Sequence, residues 1–390
     1  MSQDNATLFL EIFNSLNSQD SDSVRQVLEI LYNGVMKLER KKHLNAEHYE
    51  RSEERNGYAN GYKNKTLHTR MGALDLQVPQ TRDTDFYPKS LEKGSRSERA
   101  LKLAIAEMYL KGVSTRKVSA ITKELCGFTV SSTQVSQLTK ELDEEFEAFR
   151  QRSLGRFIYA YFDAVYLKIR HNGSVIDQAV LLAYGVNEEG KREILGASTS
   201  LSEAEVHWRE FFESLQKRGL RGVRLLISDD HAGLKKARKA VFPSISWQRC
   251  QFHLAQNAQQ YSPTKAMRAE IGRAMRSVFE CTERELAEES KLRVIEKFSK
   301  KAPEFINWFE KNIDEGLSCL SFPEKHRKRI RTTNGLERVN REIKRRTRVA
   351  TLFPSGESAL RLVTGVLTEI HEDWVTGKAY LDMSELREEE

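Results

Sequence analysis

Cysteine is scarce in this chain of 390 residues. The four present (Cys126, Cys250, Cys281 and Cys319) lie far apart and form no CxxC pair, which excludes a disulfide framework and a standard zinc ribbon and leaves reduced thiols. Long apolar runs are missing too: there is no uncharged hydrophobic stretch of the roughly 18 residues needed to span a bilayer. Met1 to Asn14 has neither the basic start nor the apolar run of a signal peptide. A soluble, cytoplasmic protein with no membrane partner is expected. Apolar residues are plentiful overall, at 39%, so two or three ordinary domains with real cores are expected rather than disorder.

Charge is unevenly spread. Lys325 to Arg348 holds eleven Lys or Arg against two Glu, a local excess of nine, which leaves the rest of the chain at −2 out of a total of +7. One dense basic block in an otherwise balanced chain fits a polyanion partner, or a solvated basic helix.

The first forty residues read as two short helices separated by a polar break at Asp20 to Ser23, the second carrying Val24, Val27, Leu28, Leu31 and Val35 for packing or a dimer contact (segment 1–50). In segment 51–94, Asn56-Gly57 and Asn60-Gly61 signal turns, and Thr66 to Arg70 with Ala73 to Val78 form a hairpin around Met71-Gly72. Basic and aromatic residues are interleaved there (Arg51, Arg55, Tyr58, Tyr62, Lys63, Lys65, Arg70), as on a phosphate-contacting surface or an ordinary polar hairpin. Segment 95–152 opens with Ser95-x-x-Glu98, a reciprocal capping pattern, and fits three helices. The second would bury Val118, Ile121 and Leu125 and end at Cys126-Gly127; the third would bury Val135, Leu138 and Leu142. This is helix-turn-helix-like. The third helix would offer Ser132, Thr133, Gln134, Ser136, Gln137 and Lys140 to DNA.

Segment 153–254 reads as strand (156–170), turn, strand (175–186), turn, strand (193–197), helix capped by Ser202-x-x-Glu205, buried strand (223–228), helix (231–241) and strand (246–250). Three meandering strands followed by crossover units imply an α/β fold: a ribonuclease-H-like mixed five-stranded sheet with helices on both faces. Residues 255–325 read as an all-α insertion. Segment 326–390 resumes the core with a basic helix opening near Asn334, a break at Phe353-Pro354-Ser355-Gly356, and a last apolar helix.

Asp163 lies in mid-strand, where a carboxylate is disfavoured and needs an ion pair, a polar contact at the rim, or a metal. Asp229 ends the fourth strand, at the carboxyl edge where open α/β sheets place their sites; Asp230 points the other way and caps the next helix. In this sheet order the strands of Asp163 and Asp229 are neighbours. Glu337 stands on the basic helix four residues before Arg341, the spacing of an ordinary ion pair, and its rival Glu342 lies roughly 140° around the helix. Three converging carboxylates would hold two Mg²⁺, or Mn²⁺, about 3.5–4 Å apart. Arg338, Arg341, Lys344, Arg345, Arg346 and Arg348 beside Glu337, with Arg55 and Arg70 nearer the N-terminus, would grip phosphates. Cys250-x-x-His253 has metal-ligand spacing but is half a site. Trp308 suits either a core anchor or a base-stacking platform.

Tyr161 to Val165, Ile227 to Gly233, Cys250-x-x-His253, Asn334 through Arg348, and Arg55-Asn56-Gly57-Tyr58 to Arg82 together resemble the Mutator-like transposases of bacterial insertion sequences, over nearly the whole chain. The resemblance implies a triad of Asp163, Asp229 and Glu337 that binds the metal, an α-helical insertion before the Glu, and binding of double-stranded terminal inverted repeats and target DNA. It also implies dimeric synapsis, a bacterial cytoplasm with nucleoid association on DNA, and site-shaping roles for Cys250, His253, Asn334 and Asn340. A DNA-binding regulator without chemistry and a nuclease of the same fold are the rival readings.

Overall fold

The computed structural model describes residues 10–14, 22–46, 55–93, 97–111, 113–140, 142–348 and 352–387. Much of the expected first helix, Arg51, Ser95 and the side chains of Ser132 and Ser136 lie outside the described residues. The chain divides between Leu142 and Asp143 into two units.

In the first unit, α1 (Ser23–Leu44) lays Leu28, Tyr32 and Met36 on a hairpin of β1 (Tyr58–Thr69) and β2 (Gly72–Arg82), burying Leu67, Leu74, Leu76 and Val78. Thr69 pairs with Gly72 as expected, but Asn60-Gly61 makes a bulge rather than a turn: the register shifts between Ala59 and Tyr62, with Gly61 at φ +72°. Val24, Leu31 and Val35 of α1 face solvent. Next come α2 (Arg99–Leu110), α3 (Thr115–Cys126) and α4 (Ser132–Lys140), around Leu101, Ile105, Val118, Cys126, Val130 and Val135. Gly127, in the left-handed region, ends α3.

Two local expectations are corrected here. The buried stripe of α3 is Val118, Thr122 and Cys126, a strict i, i+4, i+8 row that leaves Leu125 73% exposed. Glu98 stands at the N-cap of α2 instead of three residues inside it, and its carboxylate accepts from the Arg70 amide. A reciprocal box forms two helices later, at the start of α4. The Ser131 amide donates to Gln134 Oε1 at 2.8 Å, and the Gln134 amide donates to Ser131 Oγ at 3.2 Å.

The second unit holds the mixed sheet. β3 (Phe157–His171) pairs antiparallel with β4 (Ser174–Asn187), β4 with β5 (Arg192–Ser200), and β3 parallel with β6 (Leu225–Ser228), which pairs parallel with β7 (Ser246–Arg249). The order is β5-β4-β3-β6-β7. Alternation sends Ala160 and Phe162 to one face, where α6 (Glu205–Lys217) brings Trp208, Phe211, Phe212 and Leu215 and α7 (Ala232–Val241) brings Leu234 and Ala237. Tyr159 and Tyr161 point the other way. Tyr159 meets His326, and Tyr161 stacks on Tyr184, whose ring abuts Trp374. The expected Ser202/Glu205 cap does not form, because Ala204 occupies the N-cap and Glu205 the first helical position.

Helix α5 (Asp143–Gln151) belongs to this unit although the sequence pattern groups it with the preceding helices. Arg361 clasps Asp143 through two bonds of 2.6 and 2.8 Å, and Arg150 donates to Thr364. After β7 come α8 (Gln251–Ala258), α9 (Lys265–Phe279), α10 (Arg284–Phe298) and α11 (Pro303–Asn312), with their own core of Leu254, Ile271, Met275, Phe298, Phe305 and Phe309. This bundle is fastened at its base: the side-chain amides of Gln248 and Gln251 both donate to the Gly316 carbonyl at 2.8 Å. Then follow α12 (Glu324–Ile330), α13 (Asn334–Thr347) and α14 (Gly356–Thr376), the last capped by Ser355. Among the described residues no helix is long and apolar enough to cross a membrane.

Candidate active site

The parallel register of β3 and β6 sets Phe162 opposite Ser228, so Asp163 and Asp229 follow side by side where β6 ends and β3 runs on. Adjacent strands are about 4.8 Å apart, close enough for two carboxylates to share ions. Asp163 Oδ1 accepts from the Ala164 amide at 2.8 Å, and its Oδ2 accepts from Asn340 Nδ2 of α13 at 2.7 Å. Glu337 lies three residues before Asn340, hence on the same face of α13. Its Oε1 is 3.9 Å from His253 Nε2.

Helix α13 approaches because its second residue is glycine. A Cβ on Gly335 would fall 2.2 Å from the Tyr184 hydroxyl oxygen. The expected Glu337–Arg341 ion pair is absent among the described contacts. Glu342 is the engaged carboxylate, bonded to Arg345 and Arg346, and those guanidiniums hold its pKa down at about 2. Helical geometry thus separates the two glutamates: one approaches His253, beside Asp229, and the other is neutralised on its own helix.

His253 and Cys250 complete the cluster. Cys250 is the N-cap of α8 and His253 the third residue on, so they share a face. The Cys250 amide donates to the Ser228 carbonyl at 2.9 Å, which holds this helix start beside Asp229. The ligand atoms of Asp229, Cys250 and His253 lie within 4.8 Å of one another. His253 Nδ1 and Asp229 Oδ1 are 2.5 Å apart, a short contact whose directions do not make a hydrogen bond.

Burial and then Asp229 push the Asp163 carboxyl up to about 7, while Asp229 and Cys250 raise His253 to about 10. Burial aside, both shifts reflect negative charge crowded at this strand edge, which a bound cation would relieve. Glu337 Oε1 and Asn340 Oδ1 are buried without a hydrogen-bond partner, whereas Asp229 Oδ1 and His253 Nδ1 face each other as a close ion pair. Carboxylate oxygens left open at a strand edge suit a hard divalent ion.

Several other expected residues have different duties. Asp230 does not cap α7; it joins an ion-pair network around the buried Arg249, in which Lys235 (2.9 Å) and Arg249 (2.8 Å) pair with it and both also pair with Glu315. Arg249 is 1% exposed, although it closes the short strand Ser246–Arg249, whose composition (Ser-Trp-Gln-Arg) does not single it out. Arg346, expected among the phosphate contacts, is buried between Glu342 and Glu369. Arg338, Arg341, Lys344, Arg345 and Arg348 remain exposed, as does Asn334. Trp308 packs against the insertion core and stacks on Tyr261 at 5.4 Å, a core anchor. In the first unit, Thr133, Gln134, Gln137 and Lys140 lie exposed on α4, Arg55 covers the Tyr58 ring, and Arg70 pairs with Glu98. The role of Asn340 as the donor holding Asp163, and the Gly335–Tyr184 contact, were not foreseen.

The chain matches the family model described as "Transposase, Mutator family" over residues 1–377. It is 49% identical over 365 residues to a transposase for insertion sequence element IS406 of Burkholderia multivorans, covering 93% of this chain and 94% of that protein. It is 41% identical to the ISRM5 transposase of Rhizobium meliloti (94% and 92% covered), and 37% identical to the IS256 transposase in transposon Tn4001 of Staphylococcus aureus (92% of each). A family match spanning nearly the whole chain, with relatives aligned almost end to end, places this protein in the Mutator family of transposases.

Proposed function

We propose that this chain is a DNA transposase that binds the terminal inverted repeats of an insertion sequence and cleaves and joins DNA by metal-dependent phosphoryl transfer, in a ribonuclease-H-like core. The observation that carries the chemistry is the register that sets Asp163 beside Asp229, with Glu337 presented by the helix whose Asn340 holds Asp163. Asp163, Asp229 and Glu337 would hold two Mg²⁺, or Mn²⁺, which when bound activate the attacking oxygen and stabilise the leaving one. Asn340 fixes the Asp163 carboxylate so that its free lone pairs face the ion site. Arg341 and Lys344 lie four and seven residues past Glu337, on its face of α13, and hold the phosphate backbone there; Arg338, Arg345 and Arg348 extend the grip. Arg346 is not part of it. The exposed side chains of α4 suit base-edge contacts, and the exposed Val24, Leu31 and Val35 of α1 suit a homodimer contact in synapsis.

The test is cleavage and strand transfer on a duplex bearing the element's ends. Activity should require Mg²⁺ or Mn²⁺, vanish in Asp163→Asn, Asp229→Asn and Glu337→Gln, and survive in Glu342→Gln. Binding without cutting at any metal concentration would leave the regulator reading, and cutting without joining the nuclease reading.

A further inference from the structure

We propose that Asp229, Cys250 and His253 form a site for one borderline-soft ion, Zn²⁺, distinct from the hard-ion chemistry of the carboxylates and overlapping it only at Asp229. From sequence, the C-x-x-H pair is half a site. The fold supplies the third ligand, because β6 and β7 run parallel and end together, and the amide of Cys250 is tied to the residue before Asp229. Oxygen, nitrogen and sulfur atoms then converge within 4.8 Å, and two of the three, Asp229 Oδ1 and His253 Nδ1, are only 2.5 Å apart.

Ligand bonds of about 2.0–2.3 Å put tetrahedral donors about 3.3–3.7 Å from each other. The nitrogen and oxygen, at 2.5 Å, must open by about 1 Å to admit an ion, while the sulfur already lies within 4.8 Å of both. One thiolate and one carboxylate neutralise the ion, imidazole binds neutral, and water fills the fourth position. Binding releases the thiol and imidazole protons to solvent. Magnesium would not choose this set, since it avoids sulfur. An ion here occupies Asp229, so Zn²⁺ inhibits Mg²⁺-dependent cleavage; this consequence, unlike the site, rests on the function proposed above.

Two measurements on the full chain test it. Co²⁺ alone, titrated into metal-free protein, is expected to give a thiolate charge-transfer band in the near ultraviolet at one equivalent, reversed by Zn²⁺. The band should be lost in Cys250→Ser, weakened at least tenfold in affinity in His253→Gln, and retained in Asp163→Asn and Glu337→Gln. X-ray absorption of the zinc-loaded wild type, which needs no variant to fold, should show one sulfur at about 2.3 Å with nitrogen and oxygen donors at about 2.0–2.2 Å. A shell of nitrogen and oxygen only, or a band that persists in Cys250→Ser, overturns the site. One sulfur in the shell together with Mg²⁺-dependent cleavage unaffected by Zn²⁺ confirms the site and overturns the assignment of Asp229 to the catalytic ions.

Discussion

Gly335→Ala is the sharpest probe of how the third carboxylate is delivered. The added methyl would lie 2.2 Å from the Tyr184 hydroxyl oxygen, 2.8 Å from the adjacent ring carbon and 3.0 Å from the next, whereas ordinary contact begins at 3.4 Å. Tyr184 cannot yield easily, being buried and stacked at 4.3 Å on Tyr161 of the same sheet. The start of α13 must therefore move away by roughly 1 Å, at an overpacking cost of about 1–3 kcal/mol. Glu337 sits two residues further on, so the displacement passes directly to it. A misplacement of about 1 Å at a reacting centre lowers rates about 100-fold. Metal-dependent cleavage of an end-bearing duplex, alongside thermal unfolding, should show activity falling about 100-fold while the protein stays folded. Tyr184→Phe removes the nearest atom and leaves the ring carbons, so the double variant should recover part of the rate. Full activity in Gly335→Ala, or no recovery in the double variant, would refute the idea that this contact sets the position of Glu337.

Replacing Arg346 with Met removes a guanidinium shared by Glu342 and Glu369; because Glu342 keeps Arg345 and both carboxylates keep some solvent, the loss should fall below the about 3–5 kcal/mol typical of a broken buried pair, read by urea unfolding. The salt dependence of DNA binding should not change. Arg341→Ala with Lys344→Ala should instead reduce the slope of log K against log salt by roughly 1.8, about 0.9 per lost phosphate contact, in an anisotropy titration; an unchanged slope would remove them from the DNA surface. His371 is held down at about 4, first by burial and then by Arg152. The unfolded chain takes up this proton below about 6.5 and the folded chain only near 4, so the neutral ring's contribution is present above 6.5 and is lost as pH falls toward 4. His371→Phe, which keeps a ring against Phe149, should show a smaller drop in Tm over that window than the wild type.

The sheet was legible because alternation and turn signals are local properties, and because Asp163 violates them: a carboxylate amid Tyr161, Phe162 and Val165 marks itself. Its neighbourhood with Asp229 followed from strand order alone. What stayed hidden depends on partners distant in sequence. Nothing near Arg346 distinguishes it from the exposed cations around it; Glu369 does, from another helix. Asp230 reads as a cap until Arg249 and Glu315 come within reach. The two glutamates of α13 differ only by a rotation about its axis, and a pattern of residue types cannot fix that rotation without Tyr184 against Gly335 and Asp163 against Asn340. Leu125 was misread because Thr122 fills the buried stripe in its place.

The double clasp on the Gly316 carbonyl has a consequence for how such a chain can change. Gln248 and Gln251 leave the sheet and Gly316 returns to it at one point, so the helical excursion is a closed side-branch whose two feet touch. The number of residues separating Asp229 from Glu337 is thereby uncoupled from the distance between them. The turn at residues 280–283 is tied back by Arg327, which donates to the Thr282 carbonyl, but lengthening the turn between α10 and α11, at residues 299–301, adds mainly loop entropy, about 0.6 kcal/mol for each doubling. The excursion is thus free to grow, shrink or carry a foreign module at its tip, whereas exchanging either glutamine at the base would loosen the path along which the chain returns toward the site.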